Sequence, residues 1–491
     1  MELPAEIYSA SGARQLDRKA IDGGHVEGYT LMNRAARAAL ALALREFPQA
    51  HYWQIVCGAG NNGGDGFVLG RLAMEQGMRV TIAALVAPET LQGDAARAWR
   101  DFAAAGGRVT GWEGELDPDA ELLVDAILGS GLTRNVEGPF AEAIVAICRH
   151  EAAVLALDIP SGVSADSGEV LGCAVRADHT ITFAGLKSGL FLGNAPDFVG
   201  TLSFAGLDLP PACRQEVKPK MRRIGEDTLA RNLAARPRSA HKGDFGHLLL
   251  VGGAPGMAGA IRLAGDAALR CGAGRVSIAT HPAHCDTIVA SRPELMCHAV
   301  TDGRALGPLL ERATTVAAGP GLGTDEWGRE LLQAVLSSDR PLVLDADALN
   351  LLAQQPRRRD SWILTPHPGE AARLLGSTPG EIQANRLHAV GALAERYGGV
   401  IVLKGAGTLV HAGDGPPWLC TAGNPGMAGP GMGDALTGII GSLLAQGLPP
   451  GDAAVTGVEV HARAGDAAAG EEPRGLIASD LVAALRRWVN P

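Results

Sequence analysis

A glycine-rich turn at residues 421–441, TAGNPGMAGPGMGDALTGIIG, places a single carboxylate, Asp434, just before an apolar helical run. Glycine lets backbone N–H groups approach an anion, and a following helix adds the positive end of its dipole, so the turn is suited to holding phosphate. Phosphate would repel an acid there unless the acid takes a proton from the group that attacks phosphorus. The sequence therefore favours Asp434 as a catalytic base.

The alternative for Asp434 is to cap a helix that begins at Ala435, which is a common role for aspartate. Capping alone would not require the glycines that flank it, which are Gly426, Gly429, Gly431 and Gly433. The catalytic interpretation is therefore preferred to the capping one.

A second set of polar side chains follows the apolar strands predicted in the first half of the chain. These are Asn61, Asn62 and Asp65 after one strand, Asp125 on a later strand, and Asp158 with Ser161 at the end of another. Ligands bind at the carboxyl ends of parallel strands, so we expect these side chains to line one oxygen-rich crevice. Each alone has an equally good explanation as a turn or cap residue. Their combination is what indicates a site.

The same turn also matches a dinucleotide-binding pattern. Gly58, Gly60 and Gly63 satisfy G-x-G-x-x-G, but the next strand, RVTIAALVAP, ends without an acid for a ribose hydroxyl. A lone match of this kind is weak, so an oxidoreductase is disfavoured.

The elements that must position these residues alternate between short apolar strands and helical patterns. Two helical patterns occupy residues 11–46, a strand is predicted at Trp53–Cys57, and a helix from about Phe67 to Gln76 follows the glycine-rich turn. Further strands are predicted in RVTIAALV, ELLVDAILGSG, AVLALDIPSG and GTLSFAGLDLP. Such alternation predicts an α/β fold with a parallel sheet between two helical layers.

A polar, proline-punctuated stretch at residues 211–246 is predicted to be a linker into a second domain that begins near residue 222. Beyond it, GHLLLVGG, RVSIAT, TTVAAGPGLG, PLVLDADALN, WILTPHPGE and VIVLKGAGTLV predict a second α/β domain. A chain of 491 residues is long enough for two such domains.

Several strand ends of the second half carry residues that could bind a ligand. HKGDFG holds Lys242 and Asp244 in an entry segment or a solvated turn, and GPGLG serves close approach to a ligand or a tight turn equally well. In TPHPGE two prolines brace His367, which favours a ligand contact over a core position. KGAGT is a hairpin-like turn whose amides, with Lys404, could meet an adenine nucleotide.

The charge and composition of the chain limit the classes of partner that it is expected to bind. The net charge is −10 and the chain lacks an extended basic cluster, so neither nucleic acid nor an anionic membrane is expected as a partner. The eight cysteines are scattered without metal-ligand spacing, which is typical of a reducing compartment. No signal-like segment or apolar run of roughly 18 residues occurs, so we expect a cytoplasmic protein.

The motifs GAGNNGGDG, VDAILGSGLTRN and ALDIPSG, in this order, resemble the epimerase domain of the NAD(P)H-hydrate repair enzymes over residues 1–215. The resemblance implies a Rossmann-like α/β/α sandwich with Asp158 as the acid/base group in contact with the nicotinamide ring. It implies potassium among Asn62, Asp125 and Ser161, which agrees with the preference of hard cations for oxygen ligands. The residues it implies for binding the hydrate are Asn61, Asn62, Gly63, Gly64, Asp65, Gly129, Ser130, Gly131, Leu132, Thr133, Arg134, Asn135 and Asp158.

The motifs HKGDFG, GGAPGMAGA, GPGLG, DADALN, TPHPGE, KGAGT and NPGMAGPGMGD resemble the ADP/ATP-dependent NAD(P)H-hydrate dehydratases, which are ribokinase-like, over residues 222–491. The resemblance implies that the hydrate contacts Ala260, Gly321, Gly323, His367 and Asp434. It implies that ADP or ATP, with Mg²⁺, contacts Lys404, Gly405, Ala406, Gly407, Thr408 and Gly433. One departure is Pro430, where the family more often has a small flexible residue, and this leaves the choice between ADP and ATP open.

Together the two resemblances imply repair of hydrated NADH and NADPH: epimerisation of the R and S forms, then dehydration of the S form at the expense of ADP or ATP. Homo-oligomerisation is also expected. The alternatives are a small-molecule kinase of the ribokinase-like class, which would share Asp434 but release a stable phosphorylated product, and a first half that only senses a nucleotide.

Overall fold

Short apolar stretches that end at glycine-rich turns form the strands of a parallel sheet in each half of the chain. The computed structural model describes residues 3–225 and 227–490. These fall into two units, residues 1–221 and residues 222–491. The predicted α/β class with a three-layer arrangement is confirmed.

The first unit contains nine strands and seven α-helices among its described residues. Its strands are β1 (Glu6–Tyr8), β2 (Tyr52–Cys57), β3 (Arg79–Ala84), β4 (Arg108–Gly111), β5 (Leu122–Ala126), β6 (Ala153–Leu157), β7 (His179–Phe183), β8 (Leu186–Lys187) and β9 (Thr201–Ala205). Its helices are α1 (Ala10–Asp22), α2 (Gly28–Glu46), α3 (Asn61–Glu75), α4 (Gly93–Ala104), α5 (Pro139–Arg149), α6 (Pro196–Val199) and α7 (Pro211–Gln215).

Seven strands of this unit form a parallel sheet in the order β4-β3-β2-β5-β6-β7-β9, and β1 pairs separately with β8. Alternation along β2 sends Trp53 and Ile55 into one apolar cluster and Tyr52 and Val56 into another, which lie on opposite faces. The strand order reverses between β2 and β5. A ligand crevice is expected outside the carboxyl ends of the strands at such a reversal.

The second unit begins with a strand that starts in the last residue of the first. The strands are β10 (Met221–Arg223), β11 (His247–Val251), β12 (Arg275–Thr280), β13 (Met296–Ala299), β14 (Thr315–Ala318), β15 (Leu342–Leu344), β16 (Trp362–Leu364), β17 (Val400–Leu403), β18 (Leu409–His411) and β19 (Trp418–Leu419). The helices are α8 (Asp227–Asn232), α9 (Ala258–Arg270), α10 (Cys285–Ser291), α11 (Gly307–Arg312), α12 (Glu326–Leu336), α13 (Ala346–Gln354), α14 (Pro368–Leu375), α15 (Pro379–Ala384), α16 (Arg386–Tyr397), α17 (Met432–Ala445), α18 (Pro450–Ala469) and α19 (Ala478–Trp488).

The sheet of this unit has the order β13-β12-β11-β14-β15-β16-β17-β18-β19-β10. It is parallel from β13 to β17, after which β17, β18 and β19 pair in antiparallel fashion, so the predicted hairpin around KGAGT is confirmed. Its strand order reverses between β11 and β14, which places the turns after these two strands at the expected ligand crevice.

Two local predictions are wrong, and several strands were missed. Helix α3 begins at Asn61 rather than near Phe67, so the predicted turn is the first turn of the helix. The predicted linker at 211–246 contains α7, β10 and α8. The other strands that were not predicted are β1, β4, β7, β8, β13 and β19. Glycine and asparagine have a low intrinsic helix propensity, but in the first turn of α3 tertiary packing outweighs that propensity.

Across residues 3–225 and 227–490, the structure has no helix that is both long and apolar enough to cross a membrane.

Candidate active sites

A cavity of about 890 Å³ opens at the carboxyl ends of β2 and β5, where the strand order of the first sheet reverses. This volume is within the range of small-molecule sites. Most of the predicted residues line it, namely Asn61, Asn62, Asp65, all of Gly129–Asn135, and Asp158. The predicted crevice is therefore present for Asn61, Asn62, Asp65 and Asp158, whereas Asp125 and Ser161 lie buried behind it.

Four predicted residues of the first unit do not line this cavity: Asp125 and Ser161, which are fully buried, and Gly63 and Gly64. A Cβ on Gly63 would lie 2.2 Å from the carbonyl oxygen of Gly58, and one on Gly64 would lie 2.6 Å from Met32 Cε. These glycines allow the first turn of α3 to pack closely against its neighbours. Their role is to place Asn62 and Asp65, which flank them, at the cavity.

Asn62, Asp125 and Ser161 meet around the backbone of Leu128. Asn62 Nδ2 donates to Leu128 O over 3.1 Å, the Leu128 amide donates to Ser161 Oγ over 2.8 Å, and Ser161 Oγ donates to Asp125 Oδ1 over 2.6 Å. Asp125 is fully buried, and burial raises its pKa to about 6 although hydrogen bonds from Ser161 and Ile127 oppose the shift.

One oxygen of this group lacks a partner. Among the described residues, none hydrogen-bonds to Asn62 Oδ1, which is buried. An unpaired buried carbonyl is costly, and a bound cation or water would satisfy it. The donor set, one carboxylate, one amide and one hydroxyl oxygen, fits a hard monovalent cation.

Asp158 lines the same cavity and has a left-handed backbone conformation, with φ of 68°. Non-glycine residues rarely adopt this conformation, and such strain concentrates at functional sites. Its Oδ2 accepts a hydrogen bond of 3.3 Å from the Ser130 amide, and its Oδ1 forms an ion pair with Lys187 Nζ.

Five charged residues that line this cavity were not predicted from the sequence: Arg14, Asp17, Asp94, Glu137 and Lys187. Arg14 Nη1 donates to Ser130 O over 2.6 Å, which holds the Gly129–Asn135 segment against α1. Burial raises the pKa of Asp17 to about 6. The charge of Lys187 opposes this shift, and the charge of Asp158 adds to it. Burial also raises the pKa of Asp65, and the nearby carboxylates raise it further. Arg14 and Asp17 are three residues apart in a predicted helix, so the sequence already indicated that they share one helix face.

In the second unit, Asp434 lies in the first turn of α17, whose N-cap is Gly431 with a left-handed φ of 83°. The predicted start of this helix at Ala435 is therefore wrong by three residues, and Asp434 is not the N-cap. Burial and the charge of Asp345 raise the pKa of Asp434 to about 6, while Lys404 lowers it. A carboxylate with such a pKa is suited to exchange protons near neutral pH.

Lys404 is the centre of a buried charged network. Its Nζ lies 2.6 Å from Asp345 Oδ1 and 3.8 Å from Glu370 Oε2. Burial alone would lower the pKa of Lys404, but Asp345 and Glu370 outweigh it and raise the pKa. Asp345 Oδ2 accepts a hydrogen bond of 2.8 Å from Thr437 Oγ1, so the network is tied to the second turn of α17.

Gly433 and His367 lie at two edges of this network. A Cβ on Gly433 would lie 3.2 Å from Lys404 Nζ and 3.7 Å from Asp345 Oδ2. His367 caps α14 through its ring nitrogen, and its Nε2 lies 3.3 Å from Glu370 Oε1. Burial and Lys404 lower the pKa of His367, which favours the neutral ring.

The turn at residues 404–408 joins β17 to β18, and Arg386 of α16 anchors it by hydrogen bonds. The guanidinium of Arg386 donates to the carbonyl oxygens of Leu403, Lys404 and Gly407 over 3.1 to 3.3 Å. Gly405 and Ala406 at the tip are exposed. The turn is thus anchored through its carbonyls and open at its tip.

Ala260, Gly321 and Gly323 lie where the strand order of the second sheet reverses. A Cβ on Gly321, whose φ is 58°, would lie 3.3 Å from Ala260 Cβ. The Gly323 amide donates to Asp347 Oδ2 over 2.9 Å, and Asp347 also contributes to the raised pKa of Asp434. These contacts connect the glycine turn after β14 with α13 and the charge of Asp434.

Asp345, Asp347 and Glu370, which lie in the motifs DADALN and TPHPGE, were not predicted as site residues. The available signal was an acid directly after an apolar strand, as in the first half. For Glu370 the signal was its position three residues after the helix cap His367, which is typical of a capping box.

Two family models match the chain, one in each unit. The model described as NAD(P)H-hydrate dehydratase matches residues 248–487, and the model of the YjeF-related protein N-terminus matches residues 28–189.

Relatives match along the whole length. A bifunctional NAD(P)H-hydrate repair enzyme of Coxiella burnetii is 46% identical over 99% of both chains, and one of Escherichia coli is 43% identical over 100% of this chain and 95% of its own. The solved structure of the ADP/ATP-dependent NAD(P)H-hydrate dehydratase of Bacillus subtilis, co-crystallised with ATP and Mg²⁺, has a TM-score of 0.50 and 33% identity, and covers 54% of this chain and 96% of that one. A ribokinase-like superfamily protein of Enterococcus faecalis has a TM-score of 0.51 and 29% identity, and covers 55% of this chain and 95% of that one.

Proposed function

The chain belongs to the family of bifunctional NAD(P)H-hydrate repair enzymes, and from this premise we propose that it epimerises hydrated NADH and NADPH and dehydrates the S form with ADP or ATP. The observation that carries the proposal is the match of relatives along the whole chain, with a separate family model for each unit. We assign the epimerase to residues 1–215 and the dehydratase to residues 222–491.

In the first unit we propose that the hydrate occupies the cavity beside Asp158, with Asn61, Asp65 and the Gly129–Asn135 segment as its binding residues. The cavity volume and its polar lining at a strand-order reversal support this assignment. Asp158 is the acid/base group, because its carboxylate faces the cavity from a strained backbone position.

Potassium would be held by Asn62, Asp125 and Ser161. The buried, unpaired Asn62 Oδ1 supports this site. When bound, the ion supplies positive charge that fixes the strand-end turns around Leu128. The hydrogen bonds of Asn62 and Ser161 to Leu128 hold the segment that leads to Gly129 in place.

In the second unit we propose that Asp434 takes the proton of the substrate hydroxyl as that oxygen attacks the terminal phosphoryl group of the nucleotide. Amides at the glycine-rich start of α17 hold the developing negative charge. The hydroxyl thereby becomes a phosphate ester, and the lone pair of the ring nitrogen expels phosphate. The raised pKa of Asp434 supports this role, because it matches a base that acts near neutral pH.

The nucleotide is assigned to the turn at residues 404–408 and to Gly433, and the hydrate to Ala260, Gly321, Gly323 and His367. The exposed tip of the turn and its anchoring by Arg386 support a backbone-mediated contact. Asp345 and Glu370 are the carboxylates close to Lys404 that would face Mg²⁺ carried by the nucleotide. The ion would supply charge shielding on the phosphates.

The experiment that tests the proposal uses the purified full chain with hydrated NADH and either ADP or ATP in potassium buffer. The expected result is recovery of NADH absorbance with release of inorganic phosphate, for both epimers. A stable phosphorylated product without recovered NADH would instead identify a small-molecule kinase. Comparison of initial rates with ADP and ATP decides the donor, which Pro430 leaves open. A cytoplasmic location and a homo-oligomeric state remain predictions.

A further inference from the structure

Lys187 is among the most buried charged side chains of the first unit, with 3% of its side chain exposed. Its Nζ has three acceptors: Asp158 Oδ1, Thr182 Oγ1 at 3.0 Å and Phe183 O at 2.9 Å. An ammonium group has three donors, so this geometry satisfies all of them. The Lys187 side chain is therefore fixed, and its charge is directed at one oxygen of Asp158.

Four further carboxylates line the cavity, Asp17, Asp65, Asp94 and Glu137, and two of them, Asp17 and Asp65, interact electrostatically with this pair. Asp17 reaches the cavity from α1 and Asp65 from α3. Neither has a described hydrogen bond, and both have raised pKa values, chiefly because of burial. The Lys187 ammonium therefore interacts electrostatically with three carboxylates, and of these it forms an ion pair only with Asp158.

We propose that Lys187 is a positioning residue of the epimerase site, which pairs with Asp158 and thereby selects this carboxylate, rather than Asp17 or Asp65, as the proton acceptor. The inference rests on the proposed function of the first unit. Its physical basis is that a buried charge requires a compensating partner, and only Asp158 has one.

The reaction step balances without a further reactant. The carbon–oxygen bond of the hydrate breaks as the ring nitrogen forms a double bond to that carbon, and the hydroxyl leaves as water with a proton from Asp17. Water then adds to the opposite face of the carbon and gives a proton to Asp158. Transfer of that proton back to Asp17 through water in the cavity restores both carboxyl groups.

The test compares Lys187→Met, which keeps the length of the side chain but removes its charge, with Lys187→Arg, which keeps a cation. Lys19→Met is the matched control, because Lys19 is a half-exposed lysine of the same unit that pairs with Glu216. The full-length variants, alone and in an Asp158→Asn background, are assayed for epimerisation of hydrated NADH at neutral pH, and unfolding is followed by a cooperative melt.

We expect Lys187→Met to lower epimerisation at neutral pH by about 10²- to 10⁴-fold, as for loss of a positioned base. The other charged groups around Asp158, which are Arg14, Asp17 and Asp65, remain in this variant. In an Asp158→Asn background, Lys187→Met should cause no further loss.

An epimerisation rate within about threefold of the parent would overturn the inference. So would a further loss in the Asp158→Asn background, since it would show that Lys187 acts independently of Asp158. If Lys187→Met does not fold, Lys187→Arg decides: a rate within about tenfold of the parent supports the inference, and a loss equal to that of Asp158→Asn contradicts it. Lack of epimerisation by the parent itself would instead contradict the proposed function.

Discussion

Each unit contains a buried lysine–aspartate pair at the carboxyl edge of its parallel sheet, but the candidate base stands in a different relation to each pair. In the first unit the pair is Lys187–Asp158, and Asp158 is itself the candidate. In the second unit the pair is Lys404–Asp345, and the candidate Asp434 lies beside it.

This difference has a chemical consequence. A carboxylate inside a pair has its negative charge compensated at contact distance, whereas one outside the pair is exposed to both the attraction of the lysine and the repulsion of its partner. For Asp434, burial and Asp345 outweigh Lys404, and the pKa is about 6. The second site therefore keeps a base that titrates close to neutral pH, next to the place proposed for phosphate.

The largest effect is expected from Asp434→Asn, which keeps the shape of the side chain and removes its basicity. Dehydration should fall about 10²- to 10⁴-fold, while epimerisation and the melting temperature stay near those of the parent. Asp452 is a matched control, because it also lies in the first turn of a helix, α18, but is exposed. Asp452→Asn should leave both activities unchanged. Retention of more than about a tenth of the dehydration rate in Asp434→Asn would remove Asp434 from the mechanism.

The next effect concerns potassium in the first unit. Asp125→Ala should lower epimerisation by at least about tenfold, at the low end of losses from a disturbed metal site. Because the substitution also leaves the amides of Ser161 and Ile127 without their acceptor, Asn62→Ala is the companion variant. It removes the unpaired Oδ1 with less disturbance, and it should abolish the difference in rate between potassium and sodium buffers. Equal rates of the parent in both buffers would argue against the ion site.

The pH dependence of the two activities should separate the sites. Asp434 must be ionised to accept a proton, so dehydration should rise about tenfold per pH unit below pH 6 and become constant above it. The sign follows from the raised pKa: as pH falls through about 6, the base is protonated and lost. Residual dehydration by Asp434→Asn should lack this limb, as measured by initial rates at saturating nucleotide. A limb that persists in Asp434→Asn would have to arise from another group.

The fold class and most site residues were predictable because their signals are local. An apolar run that ends in glycine or a polar side chain places Asp125, Asp158 and His367 at strand ends without knowledge of the tertiary structure. The strand-order reversals then bring these ends together. Motif order, in turn, identified two sites rather than one.

Lys187 and the start of α3 were not predictable because their signals are tertiary. Lys187 lies in a strand of two residues, and nothing in GLKSG indicates that it is buried against Asp158. In α3 the run NNGGDG has the composition of a turn. It is helical because its glycines permit close packing: a Cβ on Gly66 would lie 2.7 Å from Ala126 Cβ.

The smallest effect is expected from Gly433→Ala, which probes whether the edge of the Lys404–Asp345 pair matters for dehydration. An added Cβ would lie 3.2 Å from Lys404 Nζ, so the flexible end of Lys404 must move by a few tenths of an ångström. A shift of this kind, with a cost of about 0.5–1.5 kcal/mol, corresponds to a loss of dehydration of about 2- to 10-fold.

Gly391→Ala is the matched control, because Gly391 is also helical and has open space at its Cβ position. Both substitutions should raise helix stability by up to about 1 kcal/mol through backbone entropy, and neither should alter epimerisation. Only Gly433→Ala should lower dehydration. If it matched the parent in dehydration while melting at the same or a higher temperature, the space above the Lys404–Asp345 pair would not be part of the reacting site. Dehydration would then depend on Asp434 and not on the Lys404–Asp345 pair, whereas epimerisation would depend on a carboxylate, Asp158, that is itself part of a pair.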